Sequence, residues 1–272
     1  MHKTIYLLLT IIVACGLIVT PITGKLSATG AIFEAKASPG EHFSHNLTMN
    51  LSSDAAAPEN LTVGLFDWYQ DYNGGNVGVK DNPNIATYSA KKFLSVSPSN
   101  FSLSPGTSQN IRIDGDMPAG DGGRYAMVSV KTVPNATKGG GKSLQISVGI
   151  YVPVLLTISG SKLIRTGEID NLSLQQPISA KRQNISMEFK NTGNYYYPIN
   201  TSVTLRDAKG SVLTTALSAS RGSIIPTATR MIKFSVTPEA ILKPGTYTLE
   251  GNVTLKDGTL LATKKMPFEI KP

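Results

Sequence analysis

Apolar and polar residues alternate in short runs along most of this 272-residue chain. A period of two places every second side chain on the same face of an extended strand, so such runs indicate strands with one face in a core. Turn residues separate the runs at intervals of about 8 to 12 positions, which is typical of antiparallel β-sandwiches. Long runs with a helical period do not occur in the sequence. The pattern predicts an all-β protein.

The order of the runs is repeated in the two halves of the chain. A series of Asn, apolar residues and Asp recurs at nearly the same spacing: Asn46, Met49, Leu51, Asn60, Val63, Leu65 and Asp67, then Asn184, Met187, Phe189, Asn200, Val203, Leu205 and Asp207. In each half a Pro, two apolar residues, a Gly-x-Tyr and a last alternating strand follow. The repeat predicts two consecutive immunoglobulin-like antiparallel Greek-key sandwiches of about seven strands each, after an N-terminal signal segment.

The repeat also predicts where the domains begin and end. Residues 1–30 form a signal peptide or N-terminal anchor, residues 31–158 the first domain and residues 161–272 the second. The first domain has an insertion over residues 68–95, because the distance from the shared Asp to the shared Pro is twice as long there as in the second half.

The insertion is rich in aromatic residues. It contains the only Trp, Trp68, as well as Tyr69, Tyr72 and Tyr88, and its Asn73-Gly74 pair favours a hairpin turn. The insertion is either a binding loop with aromatic anchors or an extra hairpin that covers the edge of the sandwich. The second interpretation is the favoured one.

The first residues have the pattern of a secretory signal. Lys3 precedes an apolar run, and the small residues Ala28 and Gly30 suit cleavage after Gly30. Two alternatives remain, an uncleaved anchor and lipidation at Cys15 in the lipobox-like sequence IVAC. Cys15 is the only cysteine, so the exported portion is expected to have no disulfides. The predicted localisation is a periplasm-like space or the cell surface, with membrane contact only through the N-terminal segment.

Charge and sequons add to the picture of an exported protein. The net charge of +8 is scattered, which favours a solvated basic surface over nucleic-acid binding. Acceptor motifs for N-glycosylation number nine, against about three expected by chance. They predict either glycans or Asn and Thr side chains that simply suit strand ends. The acceptors are Asn46, Asn50, Asn60, Asn100, Asn135, Asn171, Asn184, Asn200 and Asn252.

Motifs for catalysis or cofactors are weak. The glycine-rich sequence from Ala136 to Ser143 lacks the first Gly of a phosphate-binding loop and precedes a strand instead of a helix. His42 and His45 are three positions apart, a spacing that puts them on opposite faces of a strand. No nucleophile elbow or zinc motif appears, so we expect neither an enzyme nor a cofactor.

Two stretches resemble a known family. FSLSPGTSQNIRI, before the Gly-x-Tyr strand, and SLQISVGIYVPVLLTISG, at the end of the first half, resemble the periplasmic pilus-assembly chaperones, which are PapD-like proteins of two immunoglobulin-like domains. In that family the last strand of the first domain carries a row of apolar side chains that completes the fold of a pilin subunit by strand addition. Carried over, the resemblance implies partner binding by Leu144, Ile146, Val148, Ile150 and Val152.

The resemblance has limits. The family anchors the subunit's terminal carboxylate with two basic residues, and this chain has Lys36 near the first position but Pro153 at the second. The apolar row could also fill the core of its own domain. The chain is similar, too, to two-domain immunoglobulin-like proteins associated with WxL surface proteins.

Two functions follow from the sequence. The first is an exported PapD-like chaperone or assembly factor that binds subunits of a surface appendage by strand addition. The alternative is a structural or adhesive module of the cell envelope, N-glycosylated or not, in which Trp68 and Tyr72 contact the partner. The expected partners are therefore exported subunits or other envelope components.

Overall fold

The computed structural model describes residues 25–80, 83–134, 147–175, 178 and 180–272, apart from the side chains of residues 84–85 and 219–221. The described residues form two all-β sandwiches in sequence. The first sandwich contains ten strands: β1 (Leu26–Thr29), β2 (Phe33–Ala37), β3 (His42–Leu51), β4 (Glu59–Gln70), β5 (Asn76–Val79), β6 (Leu94–Ser97), β7 (Asn100–Leu103), β8 (Ser108–Asp116), β9 (Gly123–Thr132) and β10 (Gly149–Ile158).

The strands of the first sandwich form two sheets. One sheet has the order β1-β3-β8-β6, and the other has the order β2-β10-β9-β4-β5 with β7 also paired to β4. All pairs are antiparallel except β2 with β10, which are parallel. Two 3-10 helices, Pro83–Tyr88 and Lys91–Phe93, lie between β5 and β6 within the predicted insertion.

The second sandwich contains seven strands in two sheets of order β11-β12-β15 and β14-β13-β16-β17. These strands are β11 (Gly167–Leu174), β12 (Gln183–Asn191), β13 (Tyr197–Arg206), β14 (Val212–Ile224), β15 (Thr229–Val236), β16 (Gly245–Leu255) and β17 (Leu260–Ile270).

The repeat in the sequence is a repeat of strand pairing. β3 pairs with β8 in the first sandwich as β12 pairs with β15 in the second. The row β4-β9-β10 corresponds in the same way to β13-β16-β17. The prediction of two consecutive immunoglobulin-like sandwiches is therefore confirmed, although the first has ten strands instead of about seven.

The first part of the insertion is an extension of strand β4. In the second sandwich, β13 ends at a five-residue loop in which the Asp207 carboxylate accepts the amides of Lys209 and Ser211. The loop after β4 has the same form, since Asp71 accepts the amides of Asn73 and Gly75. Asp71 thus has the role of Asp207 in the turn, whereas Asp67, which matches Asp207 in the alignment of the repeat, lies within β4. β4 has 12 residues against 10 in β13, and in the alignment of the repeat it ends four positions later, with the same turn at its end.

Each sandwich has its own apolar core, and the second core extends into the first domain. Leu47, Ile111 and Val128 are among the buried side chains of the first core. The second core includes Phe189 and Val203, and three large side chains of the first sandwich pack into the same cluster: Trp68, Tyr125 and Met127. The two sandwiches therefore share a buried apolar contact.

The first described strand belongs to the first sandwich. β1 pairs with β3 at four positions, from Leu26 opposite Leu51 to Thr29 opposite Thr48. The chain then turns at Gly30, where φ is +79° and an added Cβ would lie 2.7 Å from a backbone oxygen, and enters the other sheet as β2. Cleavage after Gly30, the position predicted from the sequence, would remove β1 from its sheet.

The predictions for the apolar leader and for Cys15 lie outside the described residues. From Lys25 onward, no helix in the described part is long and apolar enough to cross a membrane.

Candidate partner-binding site

The apolar residues predicted to bind a partner differ in burial along the strand. Leu144 and Ile146 lie outside the described residues. Val148 is 42% exposed, just before β10 begins. Ile150 is half-buried against the first core, and Val152 is completely buried in it. The row therefore emerges from the core of its own domain and reaches the surface at Val148, and the side chain of Val152 is not accessible to a partner.

Half of β10 lies at an open edge. β2 pairs with β10 only from Val154 to Ile158, whereas β9 pairs with all of it. Among the described residues no strand pairs with the other side of β10 over Gly149–Pro153. Unpaired edges are the places where a further strand can add to a sheet.

The direction of the backbone hydrogen bonds in β10 shows which amides and carbonyls point towards the open edge. The Thr132 amide donates to the Val148 carbonyl, and the Ile158 amide donates to Gly122, so even-numbered residues bond towards β9. The Ser159 amide donates to Ala37, which shows that odd-numbered residues bond towards the β2 side. Along the open edge, Gly149 and Tyr151 therefore offer both an amide and a carbonyl. Pro153 has no amide hydrogen, and its carbonyl lies where the parallel pairing with β2 begins, at Val154 opposite Phe33.

An aromatic and basic patch lies beside this edge, on the outward face of the sheet. The Lys131 ammonium lies 5.2 Å from the ring centre of Phe66 and 5.6 Å from that of Tyr151. Tyr151 is 49% exposed. Cation–π contacts of this kind fix the lysine and the two rings relative to one another. The edge strand is thus flanked by an ordered surface with both apolar and cationic character.

A cleft of 270 Å³ lies between the sandwiches. Pro153 and Leu155 of β10 line it on one side, and Ser223 and Ile225 of the second sandwich line it on the other. The outward face of β10 therefore runs from the open edge directly into the cleft.

The charged residues of the cleft are Glu34 and Arg230. The hydroxyl of Tyr196 lies 3.2 Å from the Glu34 carboxylate and donates to it. Burial, together with the neighbouring Tyr195, raises the pKa of Tyr196, so this hydroxyl keeps its proton. Arg230 is 6% exposed and donates to the Ser223 carbonyl, and burial lowers the pKa of its guanidinium. The cation in the cleft thus comes from the second sandwich.

The other predicted partner residues lie in three different places. Lys36 is exposed on β2, next to Thr157 of β10 and closer than Glu34 to the link between the domains. Trp68 is 2% exposed within the contact between the sandwiches, where its indole nitrogen has no acceptor among the described residues. Tyr72 is 55% exposed at the tip of the β4–β5 hairpin. Burial explains why Trp68 is not available as an aromatic anchor.

Four residues of this region were not predicted from the sequence: Tyr151, Glu34, Gln70 and Arg230. The predicted row contains only the even-numbered residues of the last strand, although the odd-numbered Tyr151 and Pro153 alternate with them. Pairing between distant segments brings Glu34 and Gln70 to the cleft, and no local pattern in the sequence indicates that.

The predicted glycosylation sites are accessible wherever they are described. Six of the asparagine side chains are exposed and those of Asn50 and Asn252 are half-buried, while Asn135 lies outside the described residues. All eight lie at outward positions, and none lies on β10. They are distributed over all four sheets: Asn46 and Asn50, Asn60 and Asn100, Asn171 and Asn184, Asn200 and Asn252.

His42 and His45 have structural partners. The His42 ring lies 2.9 Å from Asp116 at the surface, and His45 lies 2.9 Å from the Gly30 carbonyl and stacks on Phe33. In the described part of the chain, no group of three or more His, Cys, Asp and Glu side chains could hold a metal ion. The glycine-rich sequence from Ala136 to Ser143 lies outside the described residues.

Comparisons with known proteins find similar solved structures only. No protein-family model and no curated protein matches the chain. A chaperone–tip adhesin complex of CFA/I fimbriae biogenesis is similar to it with a TM-score of 0.46 and 11% identity, over 91% of this chain and 99% of that chain. The Escherichia coli chaperone DraB has a TM-score of 0.40 and 16% identity, over 91% and 98%. The Pseudomonas aeruginosa CupB2 chaperone has a TM-score of 0.39 and 14% identity, over 90% and 100%. These three solved structures are chaperones or contain one.

Proposed function

We propose that this protein is an exported chaperone or assembly factor that binds subunits of a surface appendage by strand addition along β10. The open edge of β10 next to Val148 is the observation that carries the proposal. An incoming strand there would pair with the main-chain groups of Gly149 and Tyr151. Its apolar side chains would meet Val148 and Ile150 on the core side of the sheet. The activity is binding alone, without catalysis or a cofactor.

The surroundings of the edge support a protein partner. The patch of Phe66, Lys131 and Tyr151 adds a surface for side chains on the other face of the incoming strand. The cleft beyond Pro153 can receive the end of the partner. The charged residues of the cleft, Glu34 and Arg230, have opposite signs. The family that the sequence resembles has two basic residues there instead. We therefore do not assign Lys36 and Pro153 the family's role in holding a terminal carboxylate.

Capture of a natural subunit tests the proposal. The full chain is produced together with the exported proteins encoded beside its gene, and the subunits that co-purify with it are quantified. Val148→Asp places a charge at the edge and should reduce capture at least about tenfold, because an unpaired carboxylate would enter the apolar contact. Tyr151→Pro should act similarly by removing an edge amide.

A matched control separates the edge from general effects of charge. Leu217 is 81% exposed on β14, an edge strand of the second sandwich, and Leu217→Asp should leave capture unchanged. All variants should keep the urea midpoint of the parent within about 0.3 M, since the altered side chains are exposed. A folded Val148→Asp variant that still captures the subunit would disprove strand addition at β10.

A second candidate function is a glycosylated envelope module, and the accessibility of the sequons favours it. Eight accessible acceptors on all four sheets could carry glycans without disturbing a core. Asn60 and Asn100 lie on β4 and β7, and β9 separates β4 from β10. Glycans at those positions would leave the open edge free, so the two functions are sterically compatible.

Mass spectrometry of the protein from the cells that produce it tests glycosylation. Glycans would raise the intact mass above that of the polypeptide, and Asn46→Gln or Asn200→Gln would remove the corresponding glycopeptide. An intact mass equal to that of the polypeptide would exclude the glycosylated form of the module.

A further inference from the structure

We propose that the β4–β5 hairpin is a strap that fixes the angle between the two sandwiches, with Gln70 as its positioning residue. The strap consists of residues 68–79, the end of β4, the five-residue loop and β5. This inference does not depend on the nature of the partner.

Gln70 joins the strap to the main chain of the second sandwich by two hydrogen bonds. The Ile225 amide donates to the side-chain oxygen of Gln70 over 3.1 Å. The side-chain nitrogen of Gln70 donates to the Ser223 carbonyl over 3.0 Å. Both partners are backbone groups at the end of β14, so a single amide side chain fixes the position of that segment from both sides.

The loop of the strap makes a third bond. The Met231 amide of β15 donates to the Tyr72 carbonyl over 2.7 Å. β15 pairs with β12 on its other side, so the strap covers the edge of β15 that the second sandwich leaves open. Gly74 permits the close approach, because an added Cβ would lie 2.9 Å from Arg230 and φ is +82° there.

Trp68 secures the base of the strap. Its side chain is buried in the apolar cluster of the second sandwich, although it belongs to a strand of the first. Three consecutive outward positions of β4, Phe66, Trp68 and Gln70, therefore contribute to the side of the sheet that faces the second sandwich. The equivalent strand β13 ends at Arg206, which matches Phe66, and has no strand residues at the positions of Trp68 and Gln70.

The strap also forms part of the cleft. Trp68, Gln70, Gly74 and Asn76 line the cleft together with Ser223 and Ile225. The bonds that hold the strap thus set the distance between the two walls. We infer that the cleft is held open at one width before any partner arrives, which reduces the entropic cost of binding.

Amide hydrogen exchange tests the strap in the full chain. Gln70→Ala removes the acceptor of Ile225 directly, so exchange at Ile225 alone is uninformative about domain opening. The Met231 amide is bonded to a backbone carbonyl that the substitution leaves in place. The Gly123 amide donates to Asn194 over 2.9 Å in a separate contact between the sandwiches, outside the strap.

If the strap fixes the angle, Gln70→Ala raises exchange at all three amides, by about 5- to 30-fold for the loss of two ordinary hydrogen bonds. Gln70→Glu keeps the acceptor for Ile225 but places a carboxylate oxygen against the Ser223 carbonyl, and should also raise exchange at all three amides. Gln109→Ala, on β8 with only a local bond, is the matched control and should change none of them.

Two outcomes would overturn the proposal. Faster amide exchange at Ile225 and Met231 with unchanged exchange at Gly123 would mean that the hairpin opens locally while the angle between the sandwiches stays the same. A rise at Ile225 alone would mean that Gln70 makes a local contact and no more.

Discussion

Val148 and Val152 provide a matched pair that tests how β10 is divided between a core and an open edge. They have the same side chain, four positions apart on the same face, but Val152 is fully buried and Val148 is 42% exposed. Replacing each with Ala removes the same two carbons. At Val152 the loss of transfer free energy is about 1.6 kcal/mol, and the cavity raises the total cost to about 2–3 kcal/mol. At Val148 the expected cost is below about 1 kcal/mol, because the side chain already contacts solvent and leaves no closed cavity.

Urea unfolding measures the difference. Trp68 is the only Trp and is buried between the sandwiches, so its fluorescence reports the loss of the native structure. With a slope of about 2 kcal/mol per M, Val152→Ala should lower the midpoint by about 1 M, and Val148→Ala by less than about 0.5 M. Equal shifts would show that residue 148 is packed like residue 152, and the open edge would then lack its exposed apolar side chain. An unchanged midpoint for Val152→Ala would show that this part of β10 is not packed in the core.

Two further predictions concern stability. Partial burial alone would raise the pKa of Glu250, but hydrogen bonds from Asn252 and Arg206 and nearby positive charge lower it overall. A carboxyl whose pKa is lowered in the folded state stabilises the fold at pH values above the ordinary pKa of Glu, and this contribution is lost as the pH falls through the pKa of the folded state. In urea titrations, Glu250→Gln should therefore cost about 1 kcal/mol near pH 7 and almost nothing near pH 2. A chain that begins at Ala31 lacks β1 and the contacts of Leu26 with the first core, and its midpoint should fall by an amount equivalent to about 1–3 kcal/mol relative to a chain that begins at Lys25. Equal midpoints for the two chains would show that β1 contributes nothing.

The sequence predicts the sandwiches well because the burial of one face of a strand produces a local alternation of apolar and polar residues. In β3 and β12 the buried side chains occupy every second position, so a period of two is visible without any knowledge of the partner strands. The repeat adds a second source of information, since β3 pairs with β8 as β12 pairs with β15. Turn chemistry helps in the same way at Asn73-Gly74, although the loop there has five residues.

The proposed partner site is less predictable, because it depends on the absence of a neighbouring strand beside part of β10. Alternation continues without change from Val148 to Ile158, yet β2 covers only the second half of β10. The side chains of Val148 and Val152 are therefore indistinguishable in sequence and differ completely in exposure. The cleft presents the same difficulty, since Gln70 and Arg230 lie in different domains and meet only after both have folded.

The longer β4 has a consequence for the relation between the two sandwiches. Two identical copies of one sandwich would have this strand at the same length, and neither copy would have the extended hairpin. Four added residues advance the turn at the end of the strand by about 13 Å. That distance carries an existing turn, with its Asp cap unchanged, onto the neighbouring copy. The extra length thus distinguishes the first sandwich from the second, since among the described residues only the first has this hairpin reaching the other sandwich.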